Sequence, residues 1–434
     1  MTSTPSSSDA RRPVLPLSAP ERPANVAITR IGADGDGIAA TEGGKPRYVP
    51  FTLPGETVRL GDPIEIIATS PDRVAPSCQH FGTCGGCTLQ HWRDEPYAAW
   101  KADLLADALK RAGYEDAPIA PMLRTAPGTR RRIDLAVRRH GASLTIGLHP
   151  RSSSEVIDLA ECPVVHPTLF ALIAPLRLML RSLATLKREG SAVLNLLDTG
   201  PDLLLRTDAP ASTGDRTRLA AFAHAHGIRR VALAIGKLPP EIATQHERPY
   251  VVFDGVKVTP PPGAFLQASQ AGQEAIHAAV LSALPPKLTS KSRIAELYAG
   301  NGTLTFALAQ HARTDAFEGD ATAAAALREG AHAAAIGRIT VHTRDLVRQP
   351  LTAKELSAFA AVVLDPPYGG AAPQMATLAT AKVGRIIYVS CNPAVLTRDA
   401  RMLHDAGYRL VSATPVDQFL WSARLESVVV FSRK

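Results

Sequence analysis

Residues 293–305 read Arg-Ile-Ala-Glu-Leu-Tyr-Ala-Gly-Asn-Gly-Thr-Leu-Thr: a short apolar strand, a turn carrying Gly300 and Gly302, then the start of a helix. A strand passing through a glycine turn into a helix opens a doubly wound parallel sheet, and no other stretch limits the fold as much. More strand-then-acid segments follow: Ala316-Phe317-Glu318, Ile339-Thr340-Val341 before Arg344-Asp345, and Ala361 to Leu364 before Asp365-Pro366-Pro367. A phosphate at such strand ends would want amides and cations. Repeated acids suit ribose hydroxyls and an adenine amine, so S-adenosylmethionine is a better expected ligand than a dinucleotide.

Ile386-Ile387-Tyr388-Val389-Ser390 is another strand-like run, and Cys391 stands at its end, before Asn392-Pro393 turns the chain away. Ligands collect beyond the carboxyl ends of strands in open α/β sheets. A thiol there can serve as a nucleophile, although a free cysteine by itself is more often a small buried hydrophobe.

The chain of 434 residues has room for two or three domains. Residues 1–22 are rich in Ser, Pro and Arg without an apolar core, so a flexible tail is expected rather than a signal peptide. No apolar run is long enough to cross a bilayer. From 23 to 70, short strands are broken by Gly and Pro turns, as in a small OB-like β-barrel. Leu53-Pro54-Gly55-Glu56-Thr57-Val58, after the glycine-rich 32–37, resembles a TRAM domain, an RNA-binding module. A central α+β domain is expected over 75–255, with a helix at 94–113 that can pack on the catalytic domain, and the sheet of the first paragraph over 256–434.

The five cysteines are Cys78, Cys84, Cys87, Cys162 and Cys391. An odd number without an export signal argues for metal or catalytic use rather than a disulfide framework. Gly85-Gly86 lets Cys78, Cys84 and Cys87 converge, and Cys162 is the candidate fourth ligand. Three local thiols and one distant fit an iron–sulfur cluster better than the paired motifs of a zinc knuckle, which stays open as the alternative. Arg130, Arg131 and Arg132 open a strand-rich section and suit phosphate contact, with a solvated sheet edge as the plainer reading. The net charge of +8 permits a nucleic-acid partner without requiring one. Residues 167–250 carry helices and strands but no visible chemistry.

The cysteine pattern, Ser390-Cys391-Asn392-Pro393 and the late Leu425-Glu426-Ser427-Val428 together resemble the S-adenosylmethionine-dependent RNA uridine 5-methyltransferases that hold a 4Fe-4S cluster. The resemblance runs from about residue 24 to the end and is weakest over 167–250. It implies Cys78, Cys84, Cys87 and Cys162 as ligands of a structural cluster, Cys391 as nucleophile, and Glu426, nine residues after Asp417, as base. It further implies Gln267, Tyr298, Glu318 and Asp365 at the methyl donor and Asp345 near the adenine. Carbon 5 of uracil is too poor a nucleophile for a sulfonium methyl; thiolate addition at carbon 6 makes it one, and a base must then remove the carbon 5 proton. The target base has to leave its stack. The expected enzyme is a cytoplasmic monomer acting on RNA, ribosomal in preference to transfer RNA.

Three positions depart from that family: Tyr368 stands for a common Arg, Ser269 for an Asn and Arg424 for a His. Asp365-Pro366-Pro367-Tyr368 is also the signature of enzymes that methylate exocyclic amines, so N-methylation of a purine is a rival reading. A non-catalytic iron–sulfur RNA-binding protein is a third. The first rival leaves Cys391 and Glu426 unused, and joint retention of Cys391, Glu426 and the strand-end acids argues against the second.

Overall fold

The computed structural model describes residues 25–39 and 45–433, so the expected tail at 1–22 lies outside the described residues. Two compact units are present: Met1–Gly32 with Asp36–Arg73, and Ala33–Gly35 with Val74–Lys434. The first contains a five-stranded sheet in the order Arg47–Val49, Gly37–Ala39, Asn25–Ile31, Thr57–Arg59, Glu65–Ala68. All its ladders are antiparallel, and no ladder joins its two ends among the described residues. Ile28, Ala39, Val49 and Val58 form its core. Glu56 is buried beside them, which alone would raise its pKa; the Arg73 fork, at 2.5 and 2.9 Å, and the Leu53 amide outweigh burial and hold it low.

The second unit holds two large sheets. One has seven strands in the order Glu241–Gln245, Arg230–Ile235, Gly200–Thr207, Glu189–Leu197, Arg132–His140, Ser143–Leu148, Ile157–Asp158. Its single parallel ladder joins Gly200–Thr207 to Arg230–Ile235 through the helix Thr213–Ala225, a βαβ crossover. That helix and Ile173–Arg181 cover one face with a leucine-rich core.

The other sheet has eight strands in the order Ile339–Thr343, Arg313–Glu318, Arg293–Leu297, Ala361–Leu364, Arg385–Ser390, Glu426–Ser432, Arg409–Asp417, Leu123–Arg124. The first five are parallel and Glu426–Ser432 runs against both neighbours. Near-continuous apolar strands such as Ala361–Leu364 are what burial on both faces demands. Helices Ala372–Ala381, Pro393–Asp405 and Asp94–Arg111 supply the core of one face. Gln270–Ser282 and Thr305–His311 supply that of the other. Helix Asp94–Arg111 packs on the sheet's own helices, with Thr397 Oγ1 donating to Ala108 O at 3.1 Å. Strand order reverses at Arg293–Leu297, whose neighbours on either side come from opposite windings, and the carboxyl ends at such a reversal are where open α/β sheets form a ligand crevice. Among the described residues no helix is long and apolar enough to cross a membrane.

Candidate active site

Each strand of the crevice ends in one of the expected residues. Tyr298 follows Arg293–Leu297 with φ at 65°, a left-handed conformation costly for a non-glycine residue and common where a site over-determines the backbone. Its hydroxyl is buried and has no hydrogen-bond partner among the described residues, as are Asn301 Oδ1 in the following turn and Glu296 Oε2 in the strand. Glu318 closes the next strand and receives the amides of Gly300 and Asp320, both at 2.7 Å. Asp345 receives Val347 N at 3.0 Å and Arg348 N at 3.2 Å, which shapes the loop after Ile339–Thr343. Asp365 follows Ala361–Leu364 and accepts from Gln267 Nε2 at 3.2 Å. Burial pushes its carboxyl up to about 7. Orphaned polar atoms and acids around a glycine turn fit a ligand bearing hydroxyls, an amine and a positive charge, and fit a polyphosphate badly.

Register brings the nucleophile and base candidates together. Ser390 pairs with Ser427 across the antiparallel ladder, so Cys391, one residue beyond, comes level with Glu426 at the head of its strand. Ser427 Oγ also donates to Ser390 O at 3.3 Å. Asn392 caps helix Pro393–Asp405 through Ala394 N at 3.1 Å and Val395 N at 3.4 Å, while its Nδ2 donates to Tyr368 O at 3.2 Å. The Ser-Cys-Asn-Pro segment is thus a strand end, a half-buried bend and a helix start in four residues. Cys391 is half-buried. Burial first, then the negative charges of Glu426 and Asp365, push its thiol up to about 12, with Arg424 pulling the other way. Glu426 is itself pushed up to about 8 by burial and then by Asp365.

Cys391 opens on a cavity of about 740 Å³ that Tyr368, Arg424, Arg130 and Arg132 also line, together with Cys78, Cys84, Cys87 and Cys162. Gly85 lets the cysteine loop approach His149 and Pro150, since a Cβ would meet His149 O at 2.8 Å. Ala160 N donates to His80 Nε2 at 3.0 Å, and Gln79 N to the Glu161 carboxylate, which draws Cys162 to the loop. Burial raises Cys78, Cys84 and Cys87, and the neighbouring Cys162 raises each further. Among the described residues no group of three or more His, Cys, Asp or Glu could hold a metal ion. One zinc ion with bonds of ~2.3 Å demands tightly convergent sulfurs. Four thiols ringing a cavity suit a larger, all-cysteine-ligated group.

The three arginines part company. Arg130 and Arg132 face the cavity, with Arg130 Nε donating to Arg132 O at 3.0 Å. Arg131, between them, points the opposite way, as alternation along extended chain requires. It is buried, and its guanidinium donates to Gln267 O at 3.0 Å and to the Gln270 and Gln273 side chains at 2.5 Å each. The expectation that Arg131 contacts RNA is therefore corrected: it clamps the segment that presents Gln267. Ser269, where an Asn was expected, caps helix Gln270–Ser282 through Gly272 N at 3.0 Å.

Sequence reasoning missed Gln418. It is buried between Gln267 and Glu426 and bonds both. It also missed Lys101 and Tyr97 of helix Asp94–Arg111, which hold Asp417 beneath it. A glutamine and a lysine at otherwise apolar positions were the available signals.

The fold matches a crystal structure of Pyrococcus abyssi tRNA (uracil-54, C5)-methyltransferase in complex with S-adenosyl-L-homocysteine, with a TM-score of 0.71, 21% identity, and coverage of 94% of this chain and 99% of that one. Residues 265–434 match the tRNA (Uracil-5-)-methyltransferase family. An uncharacterized RNA methyltransferase of Caulobacter vibrioides is 41% identical, covering 94% of this chain and all of the relative. One from Rhizobium meliloti is 39% identical, covering 94% and 99%. The 23S rRNA (uracil(1939)-C(5))-methyltransferase RlmD of Cronobacter sakazakii is 32% identical, covering 94% and 96%. With relatives at these identities matched over nearly their whole length, and with its last 170 residues matching the family directly, this chain belongs to the RNA (uracil-5-)-methyltransferase family and is an enzyme.

Proposed function

We propose that this enzyme transfers a methyl group from S-adenosylmethionine to carbon 5 of one uridine in 23S ribosomal RNA. The observation that carries the mechanism is the pairing of Ser390 with Ser427, which sets a cysteine and a carboxyl group level at adjacent strand ends. The ribosomal substrate rests on the 32% relative that is named for 23S rRNA.

Bound in the crevice, S-adenosylmethionine supplies an electrophilic methyl. Gln267, Tyr298, Glu318, Asp345 and Asp365 would hold it, with Arg131 keeping the Gln267 segment in place. Cys391 gives its proton to solvent and its sulfur bonds to carbon 6 of the extruded uracil; the carbon 5–carbon 6 π pair is displaced into the enolate, which makes carbon 5 nucleophilic. After carbon 5 has taken the methyl, Glu426 takes the proton from that carbon. The C–H electrons restore the carbon 5–carbon 6 bond as the sulfur leaves with its own pair. A high thiol pKa in a buried, acid-lined site means that Cys391 rests protonated and is activated when substrate brings cationic or hydrogen-bonding partners.

Cys78, Cys84, Cys87 and Cys162 would hold a 4Fe-4S cluster whose role is to shape the wall of the RNA cavity, since the same cavity reaches Cys391. Arg130 and Arg132 contribute phosphate contacts on that wall, and the N-terminal sheet acts as a TRAM-type RNA-binding module. RNA containing 5-fluorouridine tests the chemistry, because fluorine cannot leave as a proton does and the adduct stays covalent. Trapping at Cys391 is expected; its absence refutes the reading. Mass-spectrometric mapping of 5-methyluridine in a deletion strain then separates 23S rRNA from tRNA as the substrate.

A further inference from the structure

Gln418 has a side chain whose every polar atom is committed. Its Oε1 accepts the Ala268 amide at 3.0 Å, so its nitrogen must face the other way. That nitrogen donates one hydrogen to Gln267 Oε1 at 2.8 Å and the other to Glu426 Oε2 at 2.9 Å. Gln267, its oxygen thereby fixed, turns its own nitrogen to Asp365 Oδ2 at 3.2 Å. One backbone amide thus orients two carboxamides in series, and the series ends on the two carboxyl groups of the site. Gln418, Gln267 and Glu426 are each 3% exposed, so water does not compete for these bonds.

The consequence falls on Glu426. An amide N–H can only donate, so Oε2 can only accept, and a proton on this carboxyl group has to sit on Oε1. Oε1 is buried with no partner among the described residues. Packing holds the arrangement as well: a Cβ on Gly272 would stand 2.8 Å from Gln418 Oε1 and 2.9 Å from its Cβ, so only glycine leaves room for this carboxamide.

We infer that Gln418 is a positioning residue for the elimination step, engaging Glu426 Oε2 so that Oε1 alone is presented to the proton on carbon 5. This rests on the methyl-transfer reading above. The proton passes from carbon 5 to Oε1, the C–H electron pair forms the ring double bond, and the carbon 6–sulfur bond breaks to return the Cys391 thiolate. Thiol addition and methyl transfer precede this and do not use the contact between Gln418 and Glu426.

The test is Gln418→Met, which keeps the length of the side chain and removes both donors. Loss of a hydrogen bond to a charged group predicts a fall in kcat of roughly ten- to a hundred-fold. With ordinary uridine RNA the variant should accumulate a methylated covalent adduct on denaturing gels, which the wild type clears. Because Gln267 also loses its bond from Gln418, S-adenosylhomocysteine binding should weaken, but trapping by 5-fluorouridine RNA at saturating S-adenosylmethionine should stay near wild type. Should Gln418→Met fail to fold, Gly272→Ala displaces the same carboxamide from outside the site and should give the same signature. Normal turnover without the adduct overturns the inference, as does a parallel loss of trapping and cofactor affinity, which would assign Gln418 to Gln267 and the donor. A wild-type enzyme that never traps fluorouridine instead refutes the methyl-transfer reading beneath it.

Discussion

Asp417→Asn asks what holds the segment from Asp417 to Glu426 in place. Asp417 and Lys101 are fully buried and in direct contact. Lys101 Nζ also donates to Phe419 O at 3.0 Å, and Tyr97 Oη donates to Asp417 Oδ2 at 2.9 Å while accepting Trp421 N at 2.8 Å. Two residues of helix Asp94–Arg111 thus grip the Asp417 side chain before Gln418 and the backbone of Phe419 and Trp421 after it. The asparagine keeps the shape and an acceptor for Tyr97, but leaves the ammonium without its counter-charge, and Arg124 Nε, 3.9 Å from Asp417 Oδ2, loses its counter-charge too. An uncompensated buried charge costs about 3–5 kcal/mol.

The pH dependence separates this from a simple packing defect. Burial pushes Lys101 below the usual lysine value and Asp417 pulls it partly back, so the variant's lysine falls further. Over the interval between the two folded-state values the variant has released a proton that the wild type and both unfolded chains retain. Stability rises with pH wherever the unfolded state binds more protons, so the variant gains on the wild type there. The deficit is full in mild acid and narrows as pH rises toward about 8, the wild-type lysine's own value. Urea unfolding of both proteins across that range measures it. Lys101→Met combined with Asp417→Asn buries no charge and should recover most of the loss. A deficit below about 1 kcal/mol, a deficit that widens with pH, or a double variant no better than the single one refutes the argument.

Cys391→Ala should abolish methylation while isothermal titration still finds S-adenosylhomocysteine bound; full turnover would instead favour amine methylation. Protein purified without oxygen should be brown and carry iron and acid-labile sulfide, lost together in Cys162→Ser; stoichiometric zinc without iron would return the four thiols to the zinc alternative. Arg130→Ala and Arg132→Ala should each lower the salt slope of RNA binding by about 1. Arg131→Met should leave that slope alone and weaken donor binding, a split that filter binding and calorimetry read directly.

The doubly wound sheet was legible because strands such as Ala361–Leu364 and Arg385–Ser390 are apolar almost end to end and a glycine turn follows Arg293–Leu297. Cys391 was legible for the same reason. What stayed hidden were partners joined only by folding. Gln418 meets Gln267 across 151 residues, and Lys101 meets Asp417 across 316. No local period reports such pairs, and a buried lysine in a helix looks like one polar face residue among several. The arginine run was misread at its middle member because charge was counted without alternation: extended chain sends neighbouring side chains to opposite faces, and Arg131 took the buried one.

Tyr368 and Arg424 depart from the family pattern together, and the structure joins them: the Arg424 guanidinium lies 4.8 Å from the centroid of the Tyr368 ring. In an amine methyltransferase that ring face would have to be open for the flipped base, and the preceding Asp would have to accept from the amine. Here the ring carries a cation, and Asp365 already accepts from Gln267. Arg424 also lines the cavity that Cys391 opens on, so the loop before Glu426 brings positive charge to it. Arg424 lowers the Cys391 thiol against burial and two acids, so Arg424→Ala should raise it. A smaller thiolate fraction at neutral pH slows adduct formation by about ten-fold or less, and the rate profile for fluorouridine trapping moves to higher pH. Tyr368→Phe keeps the ring face and should trap at the wild-type rate. An Arg424→Ala profile that stays put would mean the guanidinium serves the RNA alone, and loss of trapping in Tyr368→Phe would mean that the hydroxyl, rather than the stacked cation, is what this site needs.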